Sequence, residues 1–313
     1  MNFKCDYLIA LVGTNPTPVF LNAMELTKND SNIYLVYTEE KVEDRKRIIG
    51  TKHIAKFIGE KLIEKKGNLN IKYCKCDKSN PKQIKKCANK IINEMEYENK
   101  IINLDYTGST KMMCAIFYDI LKQNEKIHTI YSYVDVKDKS IKFEVPFHVQ
   151  NFTSKYLDEV IEENNITISD LLNIHGYNIE YCKNNKEKNE FQIIENIKID
   201  NIYEGKNKLL NNTIKFNKIY MRNGNIACIL KSTQAEKNVC KMEIFKAKNS
   251  AYKIGGNESF LCYICNAKEE DINGLKKELN NISNNMDLSK RIIIMNENEE
   301  NIQEKIKEFI ERM

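Results

Sequence analysis

Leu8-Ile9-Ala10-Leu11-Val12 runs straight into Gly13-Thr14-Asn15-Pro16-Thr17-Pro18, and further along Ile101-Ile102-Asn103-Leu104 runs towards Thr107-Gly108-Ser109-Thr110-Lys111. Each stretch is an apolar, strand-like run, then a small polar turn, then a helical pattern, over Val19 to Leu26 in the first case and Met112 to Leu121 in the second. Both turns therefore belong at the carboxyl ends of strands in one sheet, where open α/β sheets bind their ligands. A turn that exposes backbone N–H groups at a helix N-terminus attracts anions, and Lys111 adds a point charge for phosphate. One such turn is commonly only a turn. Two at the same sheet edge point to a nucleotide.

Working outward, strands and helices alternate up to about Val149. Ile33-Tyr34-Leu35-Val36-Tyr37-Thr38 reads as a buried strand. Val42 to Lys65 reads as one long amphipathic helix, with Ile48, Ile49, Ile54, Phe57, Ile58 and Leu62 on the helical period. A strand near Ile71-Lys72-Tyr73 precedes a helix opened by Asn80-Pro81 and running through Ile84, Ala88, Ile91 and Met95. This alternation implies a parallel sheet with helices on both faces. Thr129 to Val134 and Ser140 to Val145, split by Lys137-Asp138-Lys139, close the domain as a hairpin.

Residues 150–180 read as a polar helical connector, with Tyr156, Leu157, Val160 and Ile161 on one face and Leu171-Leu172 beyond. Lys183 to Glu190 reads as a solvated loop. The pattern then changes to short strands at Phe191 to Ile194, Ile214 to Met221 and Asn225 to Leu230, the last two joined by an Arg222-Asn223-Gly224 turn. Helix Val239 to Tyr252, strand Ser259 to Ile264, helix Glu269 to Asn280, strand Arg291 to Met295 and helix Glu300 to Met313 complete a second α/β domain. The expected organisation is a domain over 1–149, a connector and loop over 150–190, and a second domain over 191–313.

The 313 residues suffice for two cores. The net charge of +5, from 49 Lys+Arg against 44 Asp+Glu, permits a polyanionic ligand without the polarity of a nucleic-acid coat. Ten cysteines sit mostly alone in apolar runs, as Cys114, Cys228 and Cys262 do, and read as buried free thiols. Cys74-Lys75-Cys76 and Cys262-Tyr263-Ile264-Cys265 lack the second pair that a metal knuckle requires. His53, His128, His148 and His175 show no ligand spacing, so no metal site is expected from these residues. No signal-like segment opens the sequence and no apolar run reaches spanning length, so a cytoplasmic protein with no membrane partner is expected.

Val12-Gly13-Thr14-Asn15-Pro16-Thr17-Pro18, the strand Ile33 to Thr38, and Asn103-Leu104-Asp105-Tyr106-Thr107-Gly108-Ser109-Thr110-Lys111-Met112-Met113 stand in the right order for a family. The N-terminal half resembles the CARF domain of type III CRISPR ancillary proteins. The resemblance implies a Rossmann-like domain that forms a two-fold dimer and binds a cyclic oligoadenylate messenger, tetra-adenylate favoured, across the symmetry axis. A ring of identical nucleotides is rotationally symmetric, so a homodimer presents the same turns twice. The implied ligand residues are Gly13, Thr14, Asn15, Pro16, Thr38, Thr107, Gly108, Ser109, Thr110 and Lys111. Some such domains cleave their own ligand, for which Ser109, Thr110 and Lys111 are the candidates. The alternative reading of this half is an ordinary nicotinamide or flavin enzyme, although neither turn carries Gly-x-Gly-x-x-Gly and the only acids near the end of the second strand are Glu39 and Glu40.

The second domain resembles the PD-(D/E)XK nuclease-like module, an α/β restriction-endonuclease-like fold, over Asn217 to Thr233. An active member holds Mg²⁺ or Mn²⁺ with an Asp near Asn217 and an acid-x-Lys motif ending the next strand. Here Asn217 replaces the Asp, the acid position falls on Ile229 or Leu230, and only Lys231 stands where expected. Glu243 and Glu236 are candidates for a migrated acid. Three outputs stay open: a nuclease-like module without its metal site that signals to a partner protein or binds nucleic acid, an active metal-dependent RNase or DNase that uses Lys231 and Glu243, and a metal-independent ring nuclease. A heteromeric partner that supplies the missing acids also stays open, and the segment Phe152 to Leu172 is the candidate for coupling the domains.

Overall fold

The computed structural model describes residues 4–39, 41–43, 46–48, 50–96, 98–135, 140–144, 153–175, 177–179, 184–185, 192–201, 214–222, 225–255, 259–282 and 291–311. Glu40, Ile49, the Lys137-Asp138-Lys139 turn, Phe152, Asn223-Gly224 and most of Lys183 to Glu190 lie outside them. The chain divides into two compact units, one of Met1–Ile166 with Asn173–Gly176 and one of Thr167–Leu172 with Tyr177–Met313.

In the first unit β1 (Cys5–Leu11), α1 (Thr17–Leu26), β2 (Thr27–Tyr37), α2 (Lys52–Lys66), β5 (Asn70–Lys75), α3 (Pro81–Asn93), β6 (Ile102–Asp105), α4 (Lys111–Leu121) and β7 (Ile127–Asp135) alternate as the sequence implies. Five parallel strands lie in the order β5-β2-β1-β6-β7. From β1 the chain winds one way to β2 and β5, then returns to the other side of β1 for β6 and β7. The switch point lies between β1 and β6. Leu8 to Val12 are wholly buried because both faces of a central parallel strand are covered by helices. On one face Tyr7, Ile9 and Leu11 join Ile84, Ala88 and Ile91 of α3 and Met113, Phe117 and Leu121 of α4 in one core.

Two segments before the second unit depart from expectation. The helix expected over Val42 to Lys65 begins only at Lys52, and β3 (Lys41–Glu43) and β4 (Lys46–Ile48) form a short antiparallel hairpin before it. The β-branched Val42 and Ile48 favour extended backbone and Gly50 interrupts the helical period, so only Ile54, Phe57, Ile58 and Leu62 remain on it. The helix stops at Gly67, whose φ of 81° suits glycine and whose N–H donates to Ile63 O at 2.8 Å. The expected helical connector contains β9 (Thr153–Tyr156), which pairs antiparallel with β8 (Ser140–Glu144) and extends the sheet beyond the β7–β8 hairpin. Thr153-Ser154-Lys155-Tyr156 carries no apolar alternation, because pairing rather than patterning makes it a strand. Helices α5 (Leu157–Glu163) and α6 (Ile168–Ile174) follow, and Thr167 and Asp170 cap α6 reciprocally.

The second unit is one mixed sheet in the order β10 (Tyr177–Ile179), β12 (Gln192–Asn201), β13 (Ile214–Arg222), β14 (Asn225–Lys231), β15 (Phe260–Cys265), β16 (Ile292–Asn296). Here β12, β13 and β14 form an antiparallel meander, and β14, β15 and β16 run parallel through α7 (Lys237–Gly255) and α8 (Glu269–Ile282). Part of the expected solvated loop is instead β11 (Asn184–Asn185), paired with β12. Ile306, Phe309 and Ile310 of α9 (Ile302–Glu311) cover Tyr220, Ala227, Ile229, Cys262 and Ile264. No helix among the described residues is long and apolar enough to cross a membrane.

Candidate functional site

Both expected turns lie at the switch point, and they interlock. A Cβ on Gly108 would sit 2.2 Å from Leu11 O and 3.0 Å from Gly13 N, and a Cβ on Gly13 would sit 2.8 Å from Ser109 N. Only glycine lets the two backbones come this close. Thr38 joins them at the same edge: Val12 N–H donates to Val36 O at 2.9 Å, and Thr38 N–H donates to the Thr51 hydroxyl at 3.0 Å. Thr14 and Asn15 are exposed, while Pro16 is buried under the turn. The Asn15 carboxamide accepts from Thr17 N–H at 3.2 Å and fixes the entry into α1. The Thr17 hydroxyl lies 3.0 Å from His175 Nε2, a partner invisible at a separation of 158 residues.

The second turn delivers its residues to the start of α4. Thr110 caps the helix by accepting from Met113 N–H at 3.3 Å. The first N–H groups of a helix have no intrahelical acceptor, and they carry the positive end of its dipole. Lys111 is exposed there and has no acidic partner among the described residues. Ser109 holds a φ of 76°, a left-handed backbone unusual for serine, with its hydroxyl 3.1 Å from Met113 Sδ. Tyr106 opens the turn from an aromatic cluster, 5.4 Å from the Tyr118 ring and 5.7 Å from the Tyr131 ring.

Beneath the turns lies a polar network. Asp105 is wholly buried, and its carboxylate accepts from Thr107 N–H at 2.9 Å and from Asn22 Nδ2 at 2.9 Å. Asn22 Nδ2 also donates to Ser132 Oγ at 2.6 Å, and Ser132 N–H donates to the Thr107 hydroxyl at 2.9 Å. Burial raises the Asp105 carboxyl above its ordinary range, opposed by the bonds from Thr107 and Asn22. Asn22 Oδ1 is buried with no donor among the described residues. Burial, aided by the charge of Asp105, pushes the Cys114 thiol up to about 11, so this cysteine is a packing group. Sequence reading missed Asn22 and Ser132. Its one available signal was the carboxylate of Asp105 at the end of an apolar strand.

In the second unit Asn217 and Lys231 meet: the Asn217 carboxamide accepts from Lys231 N–H at 2.6 Å. Ile229 is buried in the core beneath α9. Side chains alternate along β14, so Lys231 shares the face of Ile229, whereas Ser232 faces α7. Glu243 of α7 accepts from the Ser232 hydroxyl at 2.5 Å and from Tyr263 OH at 2.6 Å. Lys231 and Glu243 thus belong to opposite faces of the sheet. Asn217, Ile229, Leu230 and Lys231 offer no carboxylate, and this donor set does not fit Mg²⁺ or Mn²⁺. No group of three or more His, Cys, Asp or Glu able to hold a metal occurs among the described residues.

Fold and site together define an α/β chain with two interlocked turns at the switch point of a doubly wound sheet, followed by a second α/β unit. No protein-family model matches the chain, and no curated protein matches it in sequence. Solved structures share its fold. Can2 from Sulfobacillus thermosulfidooxidans, in complex with cyclic tetra-adenylate, matches with a TM-score of 0.62 and 12% identity over 92% of this chain and 94% of that one. Protein VC1899 from Vibrio cholerae matches with a TM-score of 0.63 and 10% identity over 97% and 95%. A type III CRISPR defence DNA nuclease activated by cyclic oligoadenylate matches with a TM-score of 0.52 and 9% identity over 97% of this chain and 44% of that one.

Proposed function

We propose that the chain is a type III CRISPR ancillary protein whose first unit, as a homodimer, binds a cyclic oligoadenylate, tetra-adenylate favoured. The observation that carries this reading is the interlocked pair of turns at the switch point between β1 and β6, with the exposed Lys111 at the start of α4. Backbone N–H groups and Lys111 supply an anion cradle, and Thr14, Asn15, Thr38, Thr107 and Thr110 supply hydroxyl and amide groups for ribose and base. Two-fold pairing repeats the cradle on both sides of a symmetric ring. The fold shared with Can2, solved with cyclic tetra-adenylate, supports the ligand class. The second unit is proposed as a nuclease-like module that passes ligand state to a protein partner or to nucleic acid without a divalent metal of its own. Adding RNA, DNA and Mn²⁺ to the ligand-bound protein tests that part: intact nucleic acid is expected, and cleavage would restore the metal-dependent nuclease.

One observation favours a second activity. Strained backbone held in a turn is a common feature of reactive sites, and Ser109 is strained beside Thr110 and Lys111. On this reading those side chains orient a ribose 2′-hydroxyl for attack on the adjacent phosphate, and no metal is required. Linear product from cyclic tetra-adenylate in the presence of a chelator is the expected result. A ring left intact after hours refutes it.

A further inference from the structure

At the outer strand β5 and helix α3, thiols converge. Cys76 follows β5 and is 3% exposed, and Cys87 of α3 packs against the same core. Cys87 Sγ lies 3.6 Å from Lys75 O, the carbonyl of the peptide that leads into Cys76, which makes the two cysteines neighbours. Their access differs. Cys87 lines a groove of about 650 Å³ with Cys74, Lys75, Lys86, Lys90, Asp77 and Glu94, while Cys76 is closed behind it. Interaction with the neighbouring Cys76 thiol and the charge of Lys90 hold the Cys87 thiol below its usual range, whereas interaction with Cys87 and burial raise Cys76. Elsewhere the pattern is different: Cys5 and Cys262 are buried thiols, each pushed up to about 12 by burial.

A thiol open to a groove beside a lysine, with a sheltered second thiol next to it, is the arrangement of an attacking and a resolving cysteine. We propose that Cys87 and Cys76 are a hydroperoxide-oxidisable dithiol that closes to a disulfide between α3 and the end of β5. The Cys87 thiolate attacks the O–O bond of hydrogen peroxide. An S–O bond forms, the O–O bond breaks, and the departing hydroxide takes a proton to leave as water. The Cys76 sulfur then attacks the Cys87 sulfenic acid: the S–S bond forms, the S–O bond breaks, and hydroxide leaves as water with the Cys76 proton. Two thiols lose two electrons and one peroxide becomes two waters. Cys76 N–H donates to Tyr37 O at 2.8 Å, so the crosslink is anchored one residue from Thr38.

The test treats the reduced full-length chain with hydrogen peroxide, alkylates the remaining thiols, and maps peptides without reductant. The expected result is loss of two hydrogens, a linked Cys76–Cys87 peptide, and reversal by dithiothreitol. Cys76→Ser should instead leave a dimedone-trapped sulfenic acid on Cys87. The wild-type map decides the matter even if that variant folds poorly. Alkylation of both cysteines after peroxide, or a bond from either to another cysteine, overturns the proposal.

Discussion

Replacing Gly108 with Ala tests the contact between the two turns most sharply. The added Cβ would lie 2.2 Å from Leu11 O, 3.0 Å from Gly13 N and 3.1 Å from Val19 Cγ2. Two of these atoms are backbone of the central strand and first turn, and β1 is paired on both sides, so it cannot withdraw without disturbing its ladders. The second turn must therefore move by roughly 1 Å, and forced repacking of this kind costs about 1–3 kcal/mol. In a unit of this size that lowers Tm by about 2–12 °C. Calorimetry with cyclic tetra-adenylate should show affinity falling along with stability, because the displaced turn carries Ser109, Thr110 and Lys111. Gly67→Ala is the control. Its φ of 81° with open space around it imposes backbone strain of about 1–2 kcal/mol far from the turns, so stability should fall while affinity holds. Wild-type stability and affinity in Gly108→Ala would refute the interlock.

Lys111→Ala should weaken messenger binding about 10- to 150-fold, the worth of a charge-assisted bond of about 1.5–3 kcal/mol, with Tm unchanged because the side chain is exposed. Asp105→Ala should cost about 1–3 kcal/mol in urea unfolding by stranding Thr107 N–H and Asn22 Nδ2, whereas Asp105→Asn should be far milder, since a flipped Asn22 can offer its unpartnered Oδ1 to the new amide. The raised carboxyl of Asp105 means that the folded state holds its proton at pH values where the unfolded chain has lost it. Wild-type stability should therefore fall as pH rises from the ordinary Asp value through the raised one, and Asp105→Asn should lack that slope. Tyr263→Phe removes a 2.6 Å bond to the Glu243 carboxylate and should destabilise the second unit by about 1.5–3 kcal/mol; unchanged urea unfolding would contradict the role of Glu243 as a structural acceptor.

Segments with a strong period or an explicit cap were legible in the sequence. Asn80-Pro81 opens α3 as expected, the Asn80 carboxamide accepting from Lys82 N–H and Gln83 N–H at 3.1 and 3.3 Å. The buried runs of β1, β2 and β6 are equally plain. What escaped depends on tertiary partners. Thr153 to Tyr156 is a strand only because β8 lies beside it, and the apolar residues of Val42 to Ile49 fit a helical period by coincidence. At the site, the two turns could be read as a pair, but the reason for their glycines could not. It is a backbone contact between residues 95 positions apart. The Asn22–Asp105–Ser132 network likewise spans separations of 83 and 110 residues. In the second unit the strands from β13 to β16 were legible, whereas β10, β11 and the full length of β12 were not, and the two-residue alternation of β14 separates Lys231 from Glu243, a distinction that residue identity alone does not express.

The central claim is met most directly by calorimetric titration of the purified protein with cyclic tri-, tetra- and hexa-adenylate. The account predicts tight binding of one ring, tetra-adenylate, at one ligand per dimer, weakened about 10- to 150-fold in Lys111→Ala. Absence of binding to all three rings by folded protein would contradict it and return the first unit to a generic nucleotide-binding fold.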